Sequence, residues 1–282
     1  MKKALLIAAT AAALAACTSQ TTQQSAPEQA STTGKSLIVY YSQTGATKVV
    51  AEAMRCATGA DMEQIEAVLP YGGDFNQTIK RCKEEKDSGT LPEIKPLKFN
   101  VADYDTIYVG YPVWFGTFAA PMRTFLKTAN LEGKVVVPFC TFGSGGLTNT
   151  VASLKADLTK STVLDGFGIR NARIDALDEE LPQYLINVGI KPGTPIVRPP
   201  FSEQRDVSEA EKAIFDAACG DYPMPLGTPH SVGSRKVDGG TEYLFSVRSE
   251  DPNAPMGVGL VHVMVNDSTG AKPEFTLVER ED

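Results

Sequence analysis

The sequence predicts a doubly wound α/β domain with five strands in a mainly parallel sheet, followed by a small α+β module. Three observations carry this expectation. From Lys35 to Ile190 the chain alternates apolar, strand-like runs with segments of helical spacing, the pattern of a parallel sheet covered by helices. The first run, Leu37 to Tyr41, stops abruptly at Ser42-Gln43-Thr44-Gly45, after which Val49, Val50, Ala53 and Met54 recur at helical intervals. Four prolines, at 192, 195, 199 and 200, then break the alternation, and beyond them a single helical segment precedes alternating strands.

Taken in order, the first strand and the helix near 46–57 are followed by a weakly alternating edge strand at 62–68 and a helix over 75–86 with one apolar face. Thr106 to Gly110 is the next buried strand, and Pro121 to Thr128 a helix with proline in its first turn, where the missing N–H costs little. Val135 to Cys140 is a third apolar run, followed by a glycine-rich loop and an amphipathic helix over 147–158. A weaker strand at 163–169 and a helix over 177–188, despite Pro182, complete five strands and five helices. Tyr71 to Phe75 reads as an ordinary loop, the alternative being a wall of a ligand pocket.

The chain opens with Met1-Lys2-Lys3, an apolar stretch from Ala4 to Ala13, and Leu14-Ala15-Ala16-Cys17. This is the layout of a secretory leader, too short to span a bilayer. The Leu-Ala-Ala-Cys ending resembles a bacterial lipobox, which implies cleavage before Cys17 and lipid attachment to its thiol. Residues 18–35 are polar and small and read as a flexible tether. The expected organisation is therefore leader 1–17, tether 18–35, α/β domain 36–191, linker 192–205 and α+β module 206–282. The expected location is the cell envelope, exported and lipid-anchored on the periplasmic side or at the outer membrane.

A net charge of −7 argues against nucleic acid and against docking on an anionic membrane by surface charge, so membrane attachment rests on the lipid alone. Cys56, Cys82, Cys140 and Cys219 form no C-x-x-C pair, and the only histidines are His230 and His262, so metal-ligand spacing is absent. Buried free thiols are favoured over a Cys56–Cys82 disulfide. Gly34-Lys35-Ser36 is no phosphate-binding P-loop, because position 29 is Gln and the triplet precedes its strand. With no histidine in the α/β region, a Ser-His hydrolase is equally unsupported.

Three loops carry the functional signal, because ligands of doubly wound sheets bind beyond the carboxyl ends of strands, at the point where strand order reverses. The first, Ser42 to Thr47, offers hydroxyls, a glycine and the amino end of a helix, a combination suited to an anion. The second, Tyr111 to Thr117, holds Trp114, the only tryptophan, which reads as a loop residue able to stack on a planar ligand. The third, Thr141 to Gly146, is rich in glycine, which leaves room for that ligand.

These loops, as Tyr-Ser-Gln-Thr-Gly-Ala-Thr at 41–47, Gly-Tyr-Pro-Val-Trp-Phe-Gly-Thr at 110–117 and Pro-Phe-Cys-Thr-Phe-Gly-Ser-Gly-Gly at 138–146, resemble those of the flavodoxin-like, FMN-binding family. The resemblance implies strand order 2-1-3-4-5 with FMN at the switch point. It implies phosphate contacts from Ser42, Gln43, Thr44, Gly45, Ala46 and Thr47, and flavin contacts from Pro112, Val113, Trp114, Phe115 and Gly116. Thr141, Phe142, Gly143 and Gly146 would line the other side. The implied function is an electron-transfer protein, or a reductase of a small quinone-type acceptor, whose redox partner the sequence does not identify. The alternative is a non-redox binding protein on the same scaffold, with recognition by the C-terminal module.

In that module Ser208 can cap a helix with Ala210, Ile214, Ala217 and Ala218 on its apolar face. Strands are expected at 243–247, 260–265 and 275–278, the last two joined through a turn at 266–270. The stretch from Lys236 to Phe245 weakly resembles a cystatin-like domain. The family's Gln is replaced by Lys236 and its hairpin Trp is missing, so a structural or partner-binding role is expected rather than protease inhibition.

Overall fold

The computed structural model describes residues 34–72, 74–224, 226–249, 258–267 and 270–280. The leader, Cys17 and tether residues 18–33 lie outside the described residues, as do Gly73 and residues 268–269 of the expected hairpin turn.

The first part of the chain folds as β1 (Ser36–Tyr40), α1 (Ala46–Thr58), β2 (Asp61–Gln64), α2 (Phe75–Ser88), β3 (Thr106–Trp114) and β4 (Thr117–Phe118). There follow α3 (Ala120–Thr128), β5 (Val135–Phe142), α4 (Leu147–Asp157), β6 (Thr162–Val163), β7 (Phe167–Arg170) and α5 (Leu177–Asn187). The parallel strands lie in the order β2-β1-β3-β5, and both β6 and β7 pair with the far side of β5. With β6 and β7 counted as one interrupted strand, this is the expected order of five.

Period-two alternation in β1 assigns its side chains to two cores. Leu37 and Val39 pack with Cys82, Met122, Phe125 and Leu154 of α2, α3 and α4. Ile38 and Tyr40 pack with Val50 and Met54 of α1 and with Leu181 and Leu185 of α5. A one-residue slip would exchange these sets, and each buried aliphatic side chain contributes about 1.5–3 kcal/mol, so the register is firmly specified. Pro182 lies on the exposed face of α5, where water can satisfy the carbonyl that its missing N–H frees.

The strand expected at 163–169 is broken. Val136 pairs with Val163 and Phe139 with Phe167, so one extra residue is accommodated opposite Val137 and Pro138. Pro138 has no N–H to give the ladder, which explains the break there. The expected edge strand is likewise short, ending at Gln64, and Ala67 makes only an isolated bridge to Ile94. Of the four described cysteines, all free, Cys82, Cys140 and Cys219 are buried but Cys56 is exposed, contrary to expectation. Burial pushes the Cys82 thiol up to about 11 and Cys219 to about 12, which suppresses thiolate reactivity.

The remaining chain forms β8 (Arg205–Asp206), α6 (Glu209–Cys219), β9 (Thr228–Val237), β10 (Gly240–Arg248), β11 (Val258–Asn266) and β12 (Glu274–Arg280). These strands make a second, antiparallel sheet in the order β12-β11-β10-β9-β8. Ser208 caps α6 in a reciprocal arrangement with Glu211. The helix buries Phe215 and Cys219, with Ile214 and Ala218 partly covered, against Phe245, Val261 and Val263. Ala210, expected on that face, is exposed, because the bulky Phe215 sets which stripe meets the sheet. Strand β9 carries no apolar run or alternation, since Thr228 to Val237 is mostly polar; its bonds to β10 hold it in the sheet.

One buried charge cluster lies in this sheet. Glu242 of β10 accepts from Arg235 Nε at 2.8 Å and meets Arg198 at 3.3 Å and His262 Nδ1 at 3.1 Å. Burial opposes its charge, but the hydrogen bonds from His262 and Arg235 prevail and hold its pKa at about 2. Burial likewise opposes charge on His262, yet its carboxylate neighbours Glu242 and Glu279 raise its pKa above 6.5. Glu242 is the firmer partner, because Glu279 stands 3.7 Å from Nε2, beyond hydrogen-bond length.

The signs of these shifts set a pH window. The Glu242 contribution is complete above its unfolded value of 4.5 and is lost as pH falls toward 2. The His262 contribution is complete below 6.5 and is lost as pH rises through the raised folded value. Melting temperatures of wild type and His262→Gln should therefore differ most near pH 6 and converge as pH rises; a pH-independent gap would mean that His262 folds uncharged.

Candidate functional site

The three loops singled out by sequence do meet at the carboxyl edge of the parallel sheet. Tyr41, which follows β1, presents its ring edge-on to Trp114 at 5.6 Å, joining the first loop to the second. Thr47, in the first turn of α1, shares a 2.9 Å hydroxyl–hydroxyl hydrogen bond with Thr141 at the end of β5, joining the first loop to the third. Both threonines are 1% exposed. Val113 packs onto Gly146, where a Cβ would stand 2.6 Å from Val113 Cγ1, joining the second loop to the third.

In the first loop, Gly45 caps α1 in the left-handed region with φ of 99° and has no side chain of its own to cap the helix. Ser42 Oγ accepts from the Lys48 amide at 3.2 Å. Of the first-turn amides that an α-helix cannot satisfy internally, those of Ala46 and Thr47 remain for a ligand, beside the exposed Thr44 hydroxyl. Gln43 is differently employed. Its side chain accepts from the Tyr41 hydroxyl and donates to the carbonyls of Tyr71 and Gly72 at 3.4 and 3.2 Å. The Thr47 hydroxyl is likewise committed to Thr141, so both side chains are engaged within the protein.

The second loop corrects an expectation. Trp114 is no loop residue but the last residue of β3, which runs four residues past Gly110. Pro112 still pairs with Thr141, and then Val113 and Trp114 pair with Phe118 and Thr117 to close a two-residue hairpin. Phe115 and Gly116 form its tip with φ of 51° and 75°, the double left-handed turn that matches strand twist. For Phe115 that conformation costs about 1 kcal/mol, and the residue is 50% exposed. No atom lies within 4 Å of where a Cβ would stand at Gly116 or Gly45, so both positions border open space.

Trp114 is held from behind by Tyr71, whose ring lies edge-on at 5.1 Å. Tyr71 donates to Glu85 at 2.6 Å and lies under the Arg81 guanidinium at 3.8 Å. Arg81 also bonds Glu85 at 2.7 Å and the carbonyls of Leu69 and Pro70 at 2.9 and 3.1 Å. Burial, then the bond to Glu85, pushes the Tyr71 phenol well above its ordinary range, and burial does the same for Tyr41. Both therefore stay neutral. Of the two sequence readings of this stretch, ordinary loop or pocket wall, the contact of Tyr71 with Trp114 favours the second.

The third loop is less open than its glycines suggest. Thr141 and Phe142 are buried, whereas Gly143 is exposed. Gly146 accommodates Val113, and at Gly145 a Cβ would lie 1.9 Å from the Val278 carbonyl of β12. Two of the glycines read as space for a ligand are thus space for other parts of the protein. Among the described residues no group of three or more His, Cys, Asp or Glu is placed to hold a metal.

Replacing Thr47 by Val would leave the Thr141 hydroxyl buried without a partner, at a cost of about 1–3 kcal/mol, whereas Val at both positions should recover most of the loss. A double-mutant cycle by denaturant unfolding checks this, and additive losses would show that the pair is not coupled.

A flavodoxin family model matches residues 35–184. Among solved structures, the chain is similar to a protein assigned as a flavoprotein from Bacteroides eggerthii, at 30% identity and TM-score 0.48, covering 56% of this chain and 99% of that one. A flavoprotein from Lactobacillus acidophilus, solved in complex with FMN, is 25% identical with TM-score 0.42 over 52% of this chain and 97% of its own. Oxidised flavodoxin 2 from Bacillus cereus is 17% identical with TM-score 0.33, covering 52% and 94%. The match of residues 35–184, together with the order of the parallel strands, shows that this chain belongs to the flavodoxin family.

Proposed function

We propose that this chain binds FMN where its three loops converge and works at the cell envelope as an electron carrier or as a reductase of a small quinone-type acceptor. The convergence itself carries the reading, because one loop supplies a helix N-terminus with two first-turn amides left over and the next an aromatic wall. The residues fit the cofactor. Ala46 and Thr47 offer amides, Ser42 and Thr44 are the hydroxyl residues of the same loop, and Gly45 borders open space, a donor set suited to a phosphate. Lys48, paired with Glu52 at 3.8 Å, is the nearest cation in sequence, so the helix end supplies most of the attraction.

FMN, when bound, supplies the redox chemistry, and the protein's share is binding, orientation and exclusion of water. Trp114, braced by Tyr41 and Tyr71, gives a rigid apolar wall. Phe115 and Gly116 provide a hairpin tip whose backbone can turn at low cost on its glycine side. Pro112 and Val113 set the height of that tip above the sheet, and Phe142, Gly143 and Gly146 bound the opposite side. Lipidation of Cys17 and a tether through residue 35 would hold the domains at the membrane surface, with the boundary between the two folded parts at 192–205. Replacing Cys17 by Ala should move the protein from the detergent phase to the aqueous phase on detergent partitioning; unchanged partitioning would exclude the anchor.

Titration of the full chain with FMN should quench flavin fluorescence saturably, and Trp114→Ala should weaken binding at least fivefold, equivalent to about 1 kcal/mol of ring contact. A chain that leaves flavin fluorescence unchanged would contradict the reading and favour a non-redox binding protein.

A further inference from the structure

We propose that β12 of the second sheet is a working part of the cofactor site, holding the Gly143–Gly146 loop in place so that FMN binding and the seating of β12 are coupled. This rests on the FMN reading and extends it to a strand outside the family match, which ends at residue 184.

The junction is made of backbone as well as side chains. The Val278 amide donates to the Ser144 carbonyl at 2.8 Å, and Gly145 forms a parallel bridge with Val278. That approach requires glycine, since a Cβ at 145 would meet the Val278 carbonyl at 1.9 Å. Arg170 at the end of β7 adds a second clamp. Its Nε donates to the Gly143 carbonyl at 2.8 Å and its Nη1 to the Phe275 carbonyl at 2.7 Å. The guanidinium is buried and lies 3.8 Å over the Phe275 ring, so its charge is met by two carbonyls and an aromatic face.

Two flanking contacts fix the strand's direction. Glu279 accepts from Thr148 in the first turn of α4 at 2.7 Å, and Glu274 meets Arg173 at 3.0 Å. Leu277 packs against the core on the α2, α3 and α4 side of the parallel sheet. The carbonyls of both Gly143 and Ser144 are therefore committed to residues that also hold β12 or belong to it. A small cleft along this junction is lined by Gly116, Gly146, Thr148, Asn149, Val278 and Glu279. The seat of β12 thus extends to the hairpin tip assigned to the flavin. A loop pinned in this way is pre-ordered for its ligand, and by linkage the ligand must stabilise the pinning by the same factor.

Hydrogen exchange of the full chain, with and without FMN, tests the coupling in both directions. Saturating FMN should slow exchange at 274–280 several-fold, alongside protection at 42–47 and 112–117. Gly145→Ala should speed exchange at 274–280 and weaken FMN binding about tenfold. Thr148→Val, at an exposed position that cannot unfold the core, should do the same to a smaller extent. Protection confined to 42–47 and 112–117 would overturn the proposal, as would a variant that frees β12 yet binds FMN like wild type. A chain showing no FMN protection even at 42–47 fails the cofactor reading itself, and the coupling with it.

Discussion

The hydrogen bond between Thr47 and Thr141 ties the amino end of α1 to the carboxyl end of β5 across β1 and β3. Much of the site depends on that short bridge. It sets the distance between the helix end and a glycine-rich loop, and it does so in a dry setting where neither hydroxyl has water as an alternative. With that distance fixed, Tyr41 meets Trp114, Trp114 rests on Tyr71, and Val113 closes over Gly146. The mouth of the site is shaped by these contacts between loops, and the parallel sheet supplies the frame that brings them together.

The parallel sheet was legible because buried strands in such sheets are short apolar runs, and the runs at 37–41, 106–110 and 135–140 stand out from their polar flanks. Strand order and the identity of the three loops followed from resemblance, and the order agrees with the structure. Less legible was anything decided by contacts distant in sequence. The extension of β3 through Gly110 and Pro112 is hidden because both residues look like breakers. Gly110 is there to admit the Phe139 ring, which a Cβ would approach to 2.1 Å. Pro112 keeps its pairing with Thr141, and its carbonyl accepts from the Ala119 amide at 3.2 Å. Strand β9 is polar enough to pass for a loop, and Arg170 gave no sign in sequence of which carbonyls it would reach.

The second sheet changes the meaning of the glycine run at 143–146. Glycines in a binding loop suggest space for a ligand, yet Gly145 is needed for the approach of β12 and Gly146 for that of Val113. The same loop therefore answers to two masters, the proposed cofactor on one side and the C-terminal strand on the other. Glu279 links that strand to both neighbourhoods, with Thr148 of α4 at 2.7 Å and His262 at 3.7 Å. The buried Glu242 cluster behind His262 gives this end of the second sheet a fixed electrostatic anchor.

The three loops are proposed to form one site for one ligand. Backbone amide shifts of isotope-labelled protein, followed while FMN is added, test it most directly. Ala46 and Thr47, Phe115 and Gly116, and Gly143 to Gly146 should shift together along a single binding curve. Shifts confined to one loop, or loops that respond with different midpoints, would contradict it.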